Sequence, residues 1–279
     1  MKPLRVSKRN STYQILQALK SNRAKRNELK EVFVEGIAPI KNAVLAGRTI
    51  RRIIYSQYDK LSEWSRRLVA DNSNAQLIAL DEELYGELCD KREPSELLAT
   101  IAEERLELQR VGLPEPPFVI VLDRPSNHGN LGSIIRSANA FGVDLLITVG
   151  HAVDLFDPVV IRASMGSIFF TKVCHEQSMK ALDNWVRSTK EAYPKLALIG
   201  TDSKAKISLP EAHGIAKPVI LLIGNEAKGL SVELKALVDK MVKIPMEGRV
   251  DSLNVACAAS IAMYEISKRS RRGDGLELS

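Results

Sequence analysis

From residue 31 onward the chain alternates short apolar runs with amphipathic stretches, a pattern that predicts strands and helices in turn. "EVFVEG" (31–36), "IRRIIYS" (50–56), "AQLIAL" and "ELLATIA" read as strands. "APIKNAVLAG", "KLSEWSRRLVAD" and "DEELYGELCD" read as the helices between them. This βαβα order predicts a small parallel or mixed sheet with helices on its faces. The stretch "EERLELQRVGLPEPPF" (103–118) breaks the rhythm. It is polar, and Gly112, Pro114, Pro116 and Pro117 mark it as an inter-domain linker.

The second half repeats the alternation with longer elements. Strands are expected at "FVIVLD" (118–123), "DLLITVG" (144–150), "SIFFTKV" (167–173), "LALIGTD" (196–202), "PVILLIG" (218–224) and "MVKIPM" (241–246). Helices are expected over "LGSIIRSANAFG", "SMKALDNWVRSTKEAY", "VELKALVDK" and "LNVACAASIAMYEISKRS". Near-continuous apolar strands separated by helices predict a parallel sheet covered on both faces. Ligands of such sheets bind at the carboxyl ends of the strands. The loops after strands are therefore where chemistry is to be sought.

Composition narrows the class. No apolar run reaches the ~18 residues of a membrane span, and the basic amino terminus precedes no signal-like apolar core. Cys89, Cys174 and Cys257 are scattered and odd in number, which implies reduced thiols, a cytoplasmic location and no metal site. Net charge is +6 and unevenly spread. Residues 1–30 carry nine Lys or Arg against Glu28 alone. They read as a basic arm suited to a polyanion, with Lys8, Arg9, Arg23, Lys25 and Arg26 as RNA contacts. Aromatic residues are only 5% of the chain, which argues against a base-stacking platform.

Three post-strand loops carry polar residues in notable order. "LDRPSNHGNLGSIIRSANAFG" (122–142) opens a helix with Asn130 and Arg136 near its mouth, where backbone amides favour an anion. It lacks the paired G-x-G of a dinucleotide fingerprint, which weakens an oxidoreductase reading. "LLIGNEAKGLS" (221–231) has Leu230 where a Walker-type loop requires lysine, so that site is excluded. Its Gly224 permits close backbone approach, and Ser231 suits a helix cap. "IPMEGRVDSLNVACAASIAMYE" (244–265) places Ser252 and Asn254 at a helix start, where capping explains one of them.

Taken together, the loops resemble the three signature motifs of the SpoU/TrmH family of RNA ribose 2′-O-methyltransferases, in the SPOUT superfamily. The resemblance covers about residues 118–268, and "RASMGSIFF" (162–170) is similar to the family's segment between the first two motifs. It implies an α/β fold: a carboxyl-terminal trefoil-knot (SPOUT) methyltransferase domain and a smaller amino-terminal α/β RNA-binding domain. The boundaries expected are a basic arm at 1–30, a substrate-binding domain at 31–105, a linker at 106–117 and a methyltransferase domain at 118–272.

The implied cofactor is S-adenosylmethionine, held largely by backbone at Gly224, Asn225, Gly229, Ile244, Met246 and Leu253, with Thr201 completing the adenosine pocket. The implied catalytic set is Arg136, Asn130, Glu226, Ser252 and Asn254. Arginine is always protonated, so Arg136 suits a phosphate clamp and oxyanion partner better than a base. Asn130, Ser252 and Asn254 would orient it, with Glu226 accepting from Asn130 or Arg136. His128 is expected to be a plain loop residue and Ser260 a packing residue. The family implies a homodimer in which Arg136 completes the neighbour's site. The appended domain favours ribosomal over transfer RNA. A non-catalytic RNA-binding or ribosome-assembly factor and a base-directed methyltransferase of the same fold stand as alternatives.

Overall fold

A computed structural model of the chain describes residues 2–90 and 93–272. In chain order the elements begin with β1 (Leu4–Val6), α1 (Ser11–Ser21), α2 (Arg23–Leu29), β2 (Glu31–Glu35), α3 (Ile37–Leu45), β3 (Ile50–Tyr55), α4 (Glu63–Asp71), β4 (Gln76–Leu80), α5 (Glu82–Leu88) and β5 (Leu98–Ala102). They continue with β6 (Phe118–Asp123), α6 (His128–Ala140), β7 (Leu145–Val149), α7 (Pro158–Ala163), β8 (Val173–Glu176) and α8 (Met179–Ala192). The last are β9 (Ala197–Thr201), β10 (Ile207–Ser208), β11 (Val219–Ile223), α9 (Val232–Leu237), β12 (Lys240–Lys243) and α10 (Val255–Arg272).

Two compact units result. The first comprises the chain to Glu104 together with Phe156–Phe170, and the second Arg105–Leu155 together with the chain from Thr171 onward. The first unit holds a mixed five-stranded sheet of order β1-β4-β3-β5-β2, in which β5 runs antiparallel to both neighbours. Val6, Ile54, Ile78 and Leu80 from this sheet share a core with Tyr13, Leu16 and Leu19 of α1.

That core changes the reading of the amino terminus. Residues 4–29 are not an appended arm: they form β1, α1 and α2, and the three apolar side chains of α1 are fully buried. Asn10 caps α1 by accepting from Tyr13 N, and Asn22 caps α2 by accepting from Lys25 N. Met1 of the expected arm lies outside the described residues. Arg26, expected to contact RNA, is buried (1% exposed). Its guanidinium donates to the carbonyls of Leu19 and Lys20 and pairs with Asp157 Oδ2 at 3.2 Å. It is a structural cation. A charged group is retained there because it is paired with a carboxylate and hydrogen-bonded to two carbonyls.

The segment "SIFFTKV", expected as a strand, is a second correction. Ser167–Phe169 form a 3-10 turn, and the strand begins only at Val173. Gly166 sets the turn at φ +79°, packed so closely on Pro39 that a Cβ would lie 2.8 Å from its Cα. Arg162 of the preceding α7 pairs with the buried Glu35 (3.2 Å) and with Asp90 (2.8 Å). The apolar residues of 156–170 therefore serve the first unit's packing and not the second unit's sheet.

The second unit is the expected parallel sheet, seven strands of order β10-β12-β9-β11-β6-β7-β8. Val119 and Val121 of β6, Leu145 and Ile147 of β7 and Ile220 and Leu222 of β11 share a core with Leu182 and Val186 of α8 and Leu234 of α9. On the other face α10 packs against α6 and β11. From β6 the chain builds outward through β7 and β8, then returns to fill the opposite side. The reversal falls between β6 and β11, where an open parallel sheet leaves a crevice at its carboxyl edge.

Arg26→Ala is expected to lower stability by about 3 kcal/mol, since it leaves Asp157 and two carbonyls without their partner. Lys8→Ala should change it by under ~0.5 kcal/mol. Urea midpoints of the two variants test the assignment, and equal midpoints would contradict it.

Candidate active site

The carboxyl ends of β9, β11 and β12 open into a cleft of about 740 Å³. Ile223, Val242, Ile244, Leu253, Val255 and Ala258 supply apolar wall, and Thr201, Asn130, Glu226 and Asn254 supply polar groups. A volume of this order suits a cofactor-sized ligand.

The loop after β11 is shaped by its glycines. Asn225 and Gly229 exchange backbone hydrogen bonds of 3.0 and 2.9 Å, closing residues 225–229 into a tight turn with Gly229 at φ +66°. A Cβ on Gly224 would lie 2.3 Å from the Gly229 carbonyl carbon, so no other residue fits. Asn225 organises this turn from within: its Oδ1 accepts from Ala227 N (3.0 Å) and Lys228 N (3.1 Å). Its Nδ2 donates to Arg124 O at 2.8 Å, tying the loop to the end of β6. Buried Asp123 adds a second tie, accepting from Ser231 N at 2.6 Å.

One chain of hydrogen bonds joins all three loops. Asn254 Oδ1 caps α10, accepting from Ala256 N (2.8 Å) and Cys257 N (3.4 Å). Its Nδ2 donates to Asn130 Oδ1 at 3.0 Å. Asn130 Nδ2 then donates to Glu226 Oε1 at 3.4 Å, and Ser126 Oγ donates to Glu226 Oε2 at 2.9 Å. Each amide is used with a consistent polarity, oxygen toward α10 and nitrogen toward the carboxylate. Partial burial opposes ionisation of Glu226, but its backbone amide, Ser126 and Asn130 outweigh that, and its carboxyl lies below the ordinary 4.5. An ionised carboxylate only accepts, so Glu226 dictates the orientation of Asn130 and through it that of Asn254.

Every residue expected to hold the cofactor lines this cleft: Thr201, Gly224, Asn225, Gly229, Ile244, Met246 and Leu253. Of the expected catalytic set, Asn130, Glu226, Ser252 and Asn254 line it as well. Arg136 does not. It sits exposed on α6, outside the cleft of its own chain, and His128 is likewise absent from the lining. Ser260 hydrogen-bonds Ser137 at 2.7 Å and Ala256 O at 2.7 Å, pinning α10 to α6. Ser126 joins the site without a signal in the sequence, where it is one polar residue in a turn-rich stretch. Among the expected RNA contacts, Arg9 pairs with Glu87 and Lys25 with Glu28, while Lys8 and Arg23 are exposed.

Comparison with known proteins identifies the family. Residues 117–264 match the model of the SpoU rRNA Methylase family, and residues 10–99 match the SpoU L30e-like domain. The chain belongs to the SpoU methylase family. The sequence resemblance is thereby borne out, and with it a methyltransferase activity dependent on S-adenosylmethionine. A 23S rRNA (uridine(2479)-2′-O)-methyltransferase of Streptomyces viridochromogenes is 37% identical over 270 residues, spanning 96% of this chain and 93% of the relative. The crystal structure of the SpoU methyltransferase AviRb from the same organism, in complex with AdoMet, superposes with a TM-score of 0.87 at 37% identity, covering 96% of this chain and 100% of that one. An AdoMet-bound rRNA methyltransferase from Sinorhizobium meliloti gives a TM-score of 0.82 at 26% identity, covering 95% and 97%. Among the described residues, no group of three or more His, Cys, Asp or Glu is placed to hold a metal, and no helix is long and apolar enough to cross a membrane.

The lowered Glu226 carboxyl has a definite pH signature. A group whose folded pKa is below its unfolded value stabilises the fold when ionised, and that contribution disappears as pH falls below the ordinary value toward the folded one. The stability difference between wild type and Glu226→Gln should therefore be full at pH 7 and shrink as pH drops below about 4.5. Unfolding curves over that range test it; a difference that does not vary with pH would contradict it.

Proposed function

We propose that this chain methylates a ribose 2′-hydroxyl of ribosomal RNA, with S-adenosylmethionine as donor. The observation that carries the reading is the hydrogen-bonded union of Asn254, Asn130 and Glu226 at the rim of the glycine-shaped cleft. The 23S rRNA 2′-O-methyltransferase of Streptomyces viridochromogenes, similar over nearly the full length of both chains, supports the choice of ribosomal RNA and of the ribose.

The cleft fits the donor. Close backbone approach at Gly224 and the apolar wall of Ile244, Met246 and Leu253 suit an adenosine, and Thr201 offers a hydroxyl beside it. Bound there, S-adenosylmethionine supplies an electrophilic methyl group. The protein's task is to deliver the 2′-oxygen in line with that methyl, and positioning of this kind contributes several kcal/mol. Asn130 and Asn254, their amides locked by Glu226 and the α10 amides, present fixed dipoles to the incoming ribose. Ser252, lining the same rim, adds a hydroxyl. As in the family, the segment that carries the third loop is threaded into a trefoil knot in this reading, which holds that loop rigid.

Arg136 serves the site of a second copy. Its guanidinium stays charged, and it is exposed one residue from Ser137, which bonds α10 through Ser260. Beside it α10 presents Cys257, Ile261 and Tyr264 outward, with Tyr264 edge-on to Phe141 at 5.8 Å. Ile261 and Tyr264 are 41% and 48% exposed, an apolar stripe suited to its own symmetry mate. In the homodimer Arg136 clamps the target phosphate and stabilises charge developing on the 2′-oxygen of the partner's site.

Arg136→Ala is expected to reduce methyl transfer by at least ~10²-fold while cofactor affinity, read by calorimetry, stays within a few-fold. Mixed dimers of Arg136→Ala with Gly224→Val should regain activity, because one site then has both an open cleft and an arginine. Mixed dimers that stay inactive would defeat the shared-site arrangement. For the reaction itself, methyl groups from labelled cofactor should enter ribosomal RNA of a strain lacking the gene and map to a ribose. A label mapped to a base, or none at all, would refute the proposal.

A further inference from the structure

Positive charge without an acidic partner lies at the rim of the cleft. Three lysines line it, Lys204, Lys228 and Lys235. Lys235 is 3.9 Å from Asp202 Oδ2. Among the described residues, Lys204 and Lys228 have no carboxylate within 4.0 Å. Neither acid of the cleft lining pairs with them: Asp202 faces Lys235, and Glu226 accepts from the neutral Ser126 and Asn130 and keeps its charge, which leaves three lysines against two carboxylates. Both lysines are exposed, yet their backbones are fixed: Lys204 N donates to Asp202 Oδ1 (2.9 Å) and Lys228 N to Asn225 Oδ1 (3.1 Å). They follow the neighbouring strands β9 and β11, so two like charges project from adjacent, ordered loops.

This excess of positive charge at a concave rim focuses a positive potential on the opening. An anionic ligand offsets that excess. We propose that Lys204 and Lys228 grip backbone phosphates of the RNA on either side of the target nucleotide. The proposal rests on the methyltransferase reading of the cleft. A ribose whose 2′-hydroxyl reaches Asn130 carries its own 3′-phosphate with it, so any productive RNA brings backbone anions to this rim. The alternative anion is the carboxylate of the cofactor, and binding of the cofactor itself separates the two sources. The second unit thus contributes RNA affinity of its own, at the point of chemistry, while Arg26 of the amino-terminal segment contributes to folding.

The test is filter binding of labelled, deproteinised large-subunit ribosomal RNA from a strain lacking the gene, with salt varied from about 50 to 200 mM. Each of Lys204→Ala and Lys228→Ala is expected to weaken binding several-fold, and the double variant to flatten the log-affinity against log-salt slope by roughly 1.4 to 2. Lys→Arg at both positions should retain the wild-type slope. S-adenosylmethionine affinity by calorimetry should stay within twofold in all variants. An unchanged salt slope in the double variant would overturn the proposal. So would a loss of S-adenosylmethionine affinity with 5′-methylthioadenosine binding intact, which would assign the lysines to the cofactor carboxylate. Lowered RNA slopes in a protein whose wild type binds no S-adenosylmethionine would keep this surface and defeat the methyltransferase reading instead.

Discussion

The geometry of the site depends on one polarised run of hydrogen bonds, from the amides that start α10 through Asn254 and Asn130 to the carboxylate of Glu226. Each link comes from a different post-strand loop, so the run is also what draws residues more than 120 positions apart in sequence to one rim. Its direction is set at both ends. At one end unpaired helix amides demand an acceptor, and at the other an ionised carboxylate demands donors. The two asparagines have no freedom to flip between those demands. Rigid dipoles at a cleft mouth are what a reaction limited by placement of a hydroxyl requires.

That run would have nothing to act on without the cleft behind it, and the cleft is a consequence of sheet order. The neighbouring strands β12, β9 and β11 bring their following loops together as its walls at the carboxyl edge, and Asn130 reaches it from the β6 side. Gly224, with no room for a Cβ against Gly229, then brings bare backbone up to the opening. Asp123 and Asn225 fasten the β11 loop to the end of β6, so the polar rim and the backbone wall are built on the same rigid support. In a single chain Arg136 lies outside this assembly. Next to it α10 exposes Ile261 and Tyr264, the surface on which the proposed homodimer rests.

Much of this was legible in the sequence. Five of the seven strands of the parallel sheet, β6, β7, β9, β11 and β12, fall on apolar runs, because strands buried on both faces show little polar alternation. The loop residues Gly224, Glu226 and Asn254 were legible through the joint resemblance of three post-strand loops to the SpoU/TrmH motifs, since each loop alone reads as a turn or a helix cap. What escaped depends on distant partners. The basic residues of α1 and α2 look solvated until Tyr13, Leu16 and Leu19 are seen to carry the first unit's core. Arg26 cannot be told from a surface cation without Asp157, more than 130 positions away, which pairs with it. The run Ser167–Phe170 is apolar enough for a strand, but Gly166 turns it onto Pro39 and spends its hydrophobicity in the other unit. Ser126 is visible only once Glu226 is placed beside it.

The central claim is that the three loops enclose a single molecule of S-adenosylmethionine. Amide hydrogen exchange, compared with and without the cofactor, tests it most directly because it reads each loop separately. Added protection is expected in residues 224–230 and 244–256 together, with a smaller gain at the start of α6, and no change in the first unit's sheet. Protection confined to one of those loops, or found elsewhere in the chain, would contradict it.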